Sequence, residues 1–139
     1  MPESKYGKYF VKEPIVEGRF TPRLVFFSGR HFGEINFSVL WNCVTEPWLM
    51  EERPHSHEFD QFLHFYGANP LDIADFDAEV EFSLGEEGEK HIIDKATVVH
   101  IPKGIIHCPL NFKVVNKPVI FMNVALTPDY MKTRPELKD

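Results

Sequence analysis

The sequence predicts an all-β domain, an antiparallel barrel or sandwich, and three observations carry that expectation. Short runs rich in β-branched and aromatic residues recur along the chain, proline, glycine and asparagine punctuate them, and almost no stretch keeps a helical apolar period. Its 139 residues are enough for one domain that buries roughly two-thirds of its unfolded surface. No internal repeat or low-complexity tract divides it, so a single domain over residues 1–139 is expected.

Taken in order, Lys8 to Lys12 and Arg23 to Phe27 read as short strands separated by Pro14, Gly18 and Pro22, and Glu34 to Thr45 offers a longer β-rich run. A histidine-bearing strand follows from Pro54 and ends where Gly67-Ala68-Asn69-Pro70 breaks the chain. Ala78 to Leu84 alternates charged and apolar side chains, as a half-exposed strand does. The polar segment from Leu84 to Lys90 supplies a hairpin turn, His91 to Ile93 a return strand, and Ala96 to Ile101 a strand leading to a second histidine segment. Phe112 to Val115 and Val119 to Leu126 close the structure on either side of Asn116-Lys117-Pro118. The tail from Thr127 to Asp139, rich in charge and proline, has room for one helical turn or none.

The chemistry lies in the two histidine segments. In Pro54-His55-Ser56-His57-Glu58-Phe59-Asp60-Gln61, the residues His55, His57 and Gln61 share strand parity, so an extended chain points all three to one face. The offset of two between the histidines excludes a shared helical face, which needs three or four. Glu58 and Asp60 take the other parity and are poor ligand candidates. About fifty residues later, Pro102-Lys103-Gly104-Ile105-Ile106-His107 places a fourth donor after a Pro-x-Gly turn, which can return the chain beside the first segment. The expectation is a metal site of His55, His57, Gln61 and His107 built from sequence-distant strands.

His55-x-His57-x-x-x-Gln61 with Gly67 beyond it resembles the first motif of the cupin superfamily, and Pro102-x-Gly104-x-x-His107-x-x-x-Asn111 resembles its second. The second motif is complete. The first has Gln61 where the family usually has Glu, and its glycine arrives about one residue early. The resemblance, over residues 54–67 and 102–111, implies a single-domain double-stranded β-helix, the cupin or jelly-roll barrel. It also implies one divalent transition metal ion. Three imidazoles and an amide suit iron, manganese, nickel, zinc, cobalt or copper, and do not choose among them.

Phe59 and Phe65 share the ligands' parity and are candidates, with Asn111, for lining a substrate pocket; core packing is the competing reading for the phenylalanines. Gln61 has two open roles, direct coordination or orientation of a bound water. As a neutral donor it leaves a divalent ion its full charge, which strengthens Lewis acidity. Cys108 adjoins His107 and, on a regular strand, faces the opposite side; Cys43 reads as a small buried hydrophobe. His64 has the wrong parity for the cavity, and His31, His91 and His100 fit no site spacing. The acidic residues Asp72, Asp75, Asp77, Glu79 and Glu81 lack calcium-loop spacing and read as a solvated face.

A net charge of −6 and the lack of a Lys/Arg cluster argue against nucleic acid or acidic membrane as partners. With no apolar leader pattern at Met1 to Tyr6 and no long apolar run, a cytoplasmic protein with two free thiols is expected. Three functions fit: a mononuclear metal-dependent dioxygenase or related oxidoreductase on a small organic molecule, a non-redox metal lyase, decarboxylase or isomerase, and a non-catalytic binding barrel. By analogy with open-ended barrels, a homodimer is expected, with Tyr6 to Val11 adding to a partner's sheet.

Overall fold

In the computed structural model, which describes residues 4–133, ten strands form two antiparallel sheets. The strands are β1 (Ile15–Val16), β2 (Arg23–Phe27), β3 (Ser38–Val44), β4 (Trp48–Glu51), β5 (Gln61–Gly67), β6 (Ala78–Leu84), β7 (Glu89–Ile93), β8 (Thr97–Ile101), β9 (His107–Val115) and β10 (Val119–Ala125). One sheet has the order β1-β2-β3-β10-β5-β8 and the other β4-β9-β6-β7. From β3 onward the chain crosses between the sheets at every connection except β6 to β7, as in a jelly roll. One short helix, α1 (Tyr130–Thr133), follows β10. Among the described residues no helix is long and apolar enough to cross a membrane.

Strict alternation explains the core. On β5 the buried positions are Gln61, Leu63, Phe65 and Gly67, and on β10 they are Val119, Phe121, Asn123 and Ala125. The facing sheet contributes Val80, Phe82, Leu110 and Phe112. Phe65, Phe112 and Phe121 form the centre, with ring centroids 5.1–6.0 Å apart. Aromatic contacts at that separation contribute about 0.5–1.5 kcal/mol each beyond their buried area. On β5 and β10 two inward positions are polar, Gln61 and Asn123, and they mark where the apolar packing gives way to the site.

Two local expectations are corrected. Lys8 to Lys12 is not a strand: Gly7–Tyr9 is a turn of 3-10 helix, closed by Ser4 Oγ accepting from the Gly7 amide. β4 was not expected, because four residues behind Pro47 are too few to display a period, and only its pairing with β9 makes it a strand.

The acidic stretch between the histidine segments takes lysine partners. Lys117 Nζ lies 3.0 Å from both carboxylate oxygens of Asp75, and Lys113 Nζ lies 3.4 Å from Glu81. The Asp75 connection crosses directly over Gly67, where an added Cβ would stand 2.1 Å from the Asp75 carbonyl oxygen. The glycine that ends β5 is thus required for a close backbone approach. Gly67→Ala is expected to lower unfolding stability by about 1–3 kcal/mol through overpacking, measured by urea denaturation against wild type.

Candidate metal centre

The two histidine segments are joined backbone to backbone. The His55 amide donates to the His107 carbonyl (3.0 Å) and the His107 amide donates back to the His55 carbonyl (2.8 Å). The Gly104 amide donates to the His57 carbonyl at 2.9 Å, docking the Pro-x-Gly turn on the first segment. Gly104 has φ +85, a conformation that favours glycine and lets the chain reverse there.

These pairings bring three imidazoles together. Ring centroids are 4.5 Å apart for His55 and His107, 4.9 Å for His55 and His57, and 5.3 Å for His57 and His107. The Nδ1 atom of His55 lies 2.8 Å from the Arg53 carbonyl, and that of His107 lies 3.0 Å from the Ile105 carbonyl. A carbonyl only accepts, so each Nδ1 carries the hydrogen and each Nε2 presents a lone pair, the tautomer that binds metal. His57 is buried, and its ring stacks on Phe59 with centroids 4.8 Å apart.

Gln61 completes the arrangement from β5. Its Nε2 donates to Asn123 Oδ1 at 3.0 Å, which fixes the amide's orientation. Its Oε1 is buried and has no hydrogen-bond partner among the described residues. Leaving a buried acceptor unsatisfied costs about 1–3 kcal/mol, and a cation beside it removes that cost. The donor set therefore fits a divalent metal ion: two imidazoles of fixed tautomer and an amide oxygen line one cavity, with the third imidazole alongside.

That cavity has a volume of about 200 Å³. Leu40, Trp48, Met50 and Phe121 contribute apolar wall, while Arg23, Glu51 and Tyr130 bring a cation, a carboxylate and a phenol. Sequence reasoning missed these three. Arg23 and Glu51 lie on strands with no motif around them, and Tyr130 comes from the tail; their convergence is a product of topology alone.

Several expected placements change. His55 and His57 do not continue β5, because a bend at Glu58 and Phe59 separates them from Gln61; the three converge through the bridge to β9 rather than through one strand's alternation. The expected pocket residues lie elsewhere. Phe65 is wholly buried in the core, Phe59 packs between His57 and Tyr130, and Asn111 sits half-buried on the parity opposite Leu110 and Phe112. Cys108 also departs from expectation. Two residues of β6, Phe82 and Leu84, face Leu110 and His107 across a bulge, so His107 and Cys108 are both buried. Cys108 has φ +86 and lines the cavity. Cys43 is partly buried on the face opposite Leu40 and Val44, and burial pushes its thiol pKa up.

The remaining histidines stand apart from the cavity. His100 pairs with Asp60 (2.6 Å), His91 with Glu89 (2.6 Å), and His31 stacks on Phe26. His64 contacts the Tyr66 hydroxyl on the outward parity of β5.

No protein-family model and no curated protein matches the chain in sequence. Solved structures do match in fold. Hydroxypropylphosphonic acid epoxidase from S. wedmorenis in complex with fosfomycin aligns with TM-score 0.51 and 10% identity over 81% of this chain and 54% of that one. An iron(II) form of HppE gives 0.51 and 12% over 81% and 55%, and an oxalate decarboxylase 0.50 and 9% over 84% and 28%. The chain thus spans about half the length of the epoxidase and under a third of the decarboxylase. The sheets, the crossover order and these alignments give the fold as an antiparallel double-stranded β-helix, the jelly-roll barrel that these solved structures share.

Burial lowers the pKa of His64 below the ordinary imidazole value. The unfolded chain therefore takes up this proton first, so His64 opposes folding progressively as pH drops through its unfolded and then its folded pKa. An NMR titration is expected to place the His64 midpoint below that of a model imidazole, and His64→Gln to flatten the corresponding part of the stability–pH curve.

Proposed function

We propose that this barrel is a mononuclear metal-dependent enzyme acting on a small organic molecule, with oxidative chemistry as the leading class. The observation that carries the reading is that His55, His107 and Gln61 line one cavity with the His57 ring beside them, the two lining imidazoles held through Nδ1 and the Gln61 Oε1 left without a hydrogen-bond partner among the described residues. When bound, a redox-active divalent ion such as iron, manganese or copper supplies dioxygen chemistry, whereas zinc or nickel supplies Lewis acidity. The iron(II) form of a fold relative supports the oxidative class.

The chain's own residues define the rest. At about 200 Å³ the cavity is smaller than the roughly 300–1,000 Å³ typical of drug-sized ligand pockets, so the substrate is small. Its hydrocarbon part rests against Leu40, Trp48, Met50 and Phe121, which exclude water. Its polar end meets Arg23, Glu51 or Tyr130. Asn123 holds Gln61 so that its amide oxygen, and not its nitrogen, faces the ion.

One observation favours a second reading, a non-redox lyase, decarboxylase or isomerase. Such chemistry needs a proton acceptor beside a Lewis acid, and the Glu51 carboxylate and Tyr130 hydroxyl stand in the same wall. The neutral Gln61 donor also leaves the ion more electrophilic than a carboxylate would.

The first test is elemental analysis by inductively coupled plasma mass spectrometry of untagged protein purified without added metal. Near-stoichiometric metal is expected in wild type and in His64→Ala, with strong loss in His107→Ala. Iron, manganese or copper selects the oxidative class, and zinc or nickel the lyase class. No metal in wild type, or equal loss from both variants, overturns the site.

A further inference from the structure

Cys108 lines the cavity beside His107 and has no part in the proposed ligand set. Its sulfur, one ring nitrogen of His55 and one of His107 all lie within 4.8 Å of one another. Ligands on one transition metal stand roughly 3–4 Å apart, given metal–nitrogen bonds of about 2.0–2.1 Å and metal–sulfur bonds of about 2.3 Å. Side-chain torsions cover the remaining ångström. Neither Glu51 nor any other carboxylate joins this cluster among the described residues.

A second, independent observation points to the same place. Gln61 lines the same cavity as Cys108, and its Oε1 is a buried acceptor with no hydrogen-bond partner among the described residues. The backbone explains how a residue next to a ligand reaches the same ion. On a regular strand adjacent side chains diverge, but the bulge opposite Phe82 and Leu84 and the positive φ of Cys108 remove that alternation, and both residues are buried. A positive φ is uncommon for a residue with a Cβ, and such conformations concentrate at functional sites.

The chemistry gives the arrangement a purpose. Imidazoles and an amide are neutral, so a divalent ion held by them alone keeps both charges in a largely apolar wall. We infer that Cys108 is the anionic ligand of this centre, binding the metal through sulfur beside His55, His107 and Gln61. The inference rests on the metal-binding reading above. On binding, the thiol S–H bond breaks, its proton passes to solvent, and the sulfur donates an electron pair to the ion with no change of oxidation state. A thiolate also biases the site towards softer ions such as zinc or copper(I).

Cobalt(II) added to the full chain under reducing, anaerobic conditions tests this. Cobalt d–d bands in the visible are expected in wild type, together with an intense near-ultraviolet thiolate-to-cobalt band. The near-ultraviolet band is expected to vanish in Cys108→Ser and Cys108→Ala and to persist in Cys43→Ser, the chain having only these two cysteines. Visible bands without the near-ultraviolet band in wild type overturn the inference while leaving the metal site standing, and this arm depends on no variant folding. Persistence of the band in the Cys108 variants, or its loss in Cys43→Ser, also overturns it. Absence of any cobalt band overturns the metal reading itself.

Discussion

The reciprocal pair of backbone hydrogen bonds between His55 and His107 is the contact on which the site depends. It joins segments that are about fifty residues apart and belong to no common strand, and it sets the register of both rings. Because each imidazole then bonds through Nδ1 to a carbonyl of its own segment, the backbone fixes both position and tautomer. The two rings are therefore organised by the backbone itself, and such preorganisation spares a ligand the cost of ordering the groups that hold it. The Gly104 turn adds a third backbone tie, from the same loop to the His57 carbonyl.

The site is also the place where the barrel's packing rule changes character. Along β5 and β10 the inward positions pass from Leu63, Phe65, Val119 and Phe121 to Gln61 and Asn123. An apolar core tolerates those amides because they bond to each other, and the Gln61 oxygen is left as a buried acceptor without a hydrogen-bond partner among the described residues. One side-chain pair thus closes the core and positions a donor. The same economy holds for β9, where one bulge buries His107 and Cys108 together while Leu110 and Phe112 beyond it pack normally.

Much of the fold was legible because period-two patterns are local. β2 was bounded at both ends from Arg23-Leu-Val-Phe-Phe and β6 from its alternation, since exposure and burial on a sheet follow residue parity, and β10 was placed to within one residue, Val119 to Leu126 against Val119–Ala125. His55, His57, Gln61 and His107 stood out by residue type and spacing, with the Pro-x-Gly turn before His107, but parity is not what gathers them: a bend at Glu58 and Phe59 breaks it, and the bridge between His55 and His107 joins the two segments. Lys8 to Lys12 misled because aromatic residues favour strands only where a neighbouring strand accepts them, and among the described residues none does. β4 carried too few residues to show any period.

What the sequence determined by itself is the all-β architecture, the pairing of two histidine segments and the polar interruption at Gln61. Each is encoded in residue type and spacing within about ten positions. The tertiary structure alone decided which other groups share the cavity. Arg23, Glu51 and Tyr130 arrive from three separate elements, and strand crossover between sheets makes them neighbours. It also decided the direction of Cys108, because a bulge is a mismatch between two strands and exists only once both are paired. Alternation is a property of one strand and can be read from one segment; convergence is a property of several and cannot.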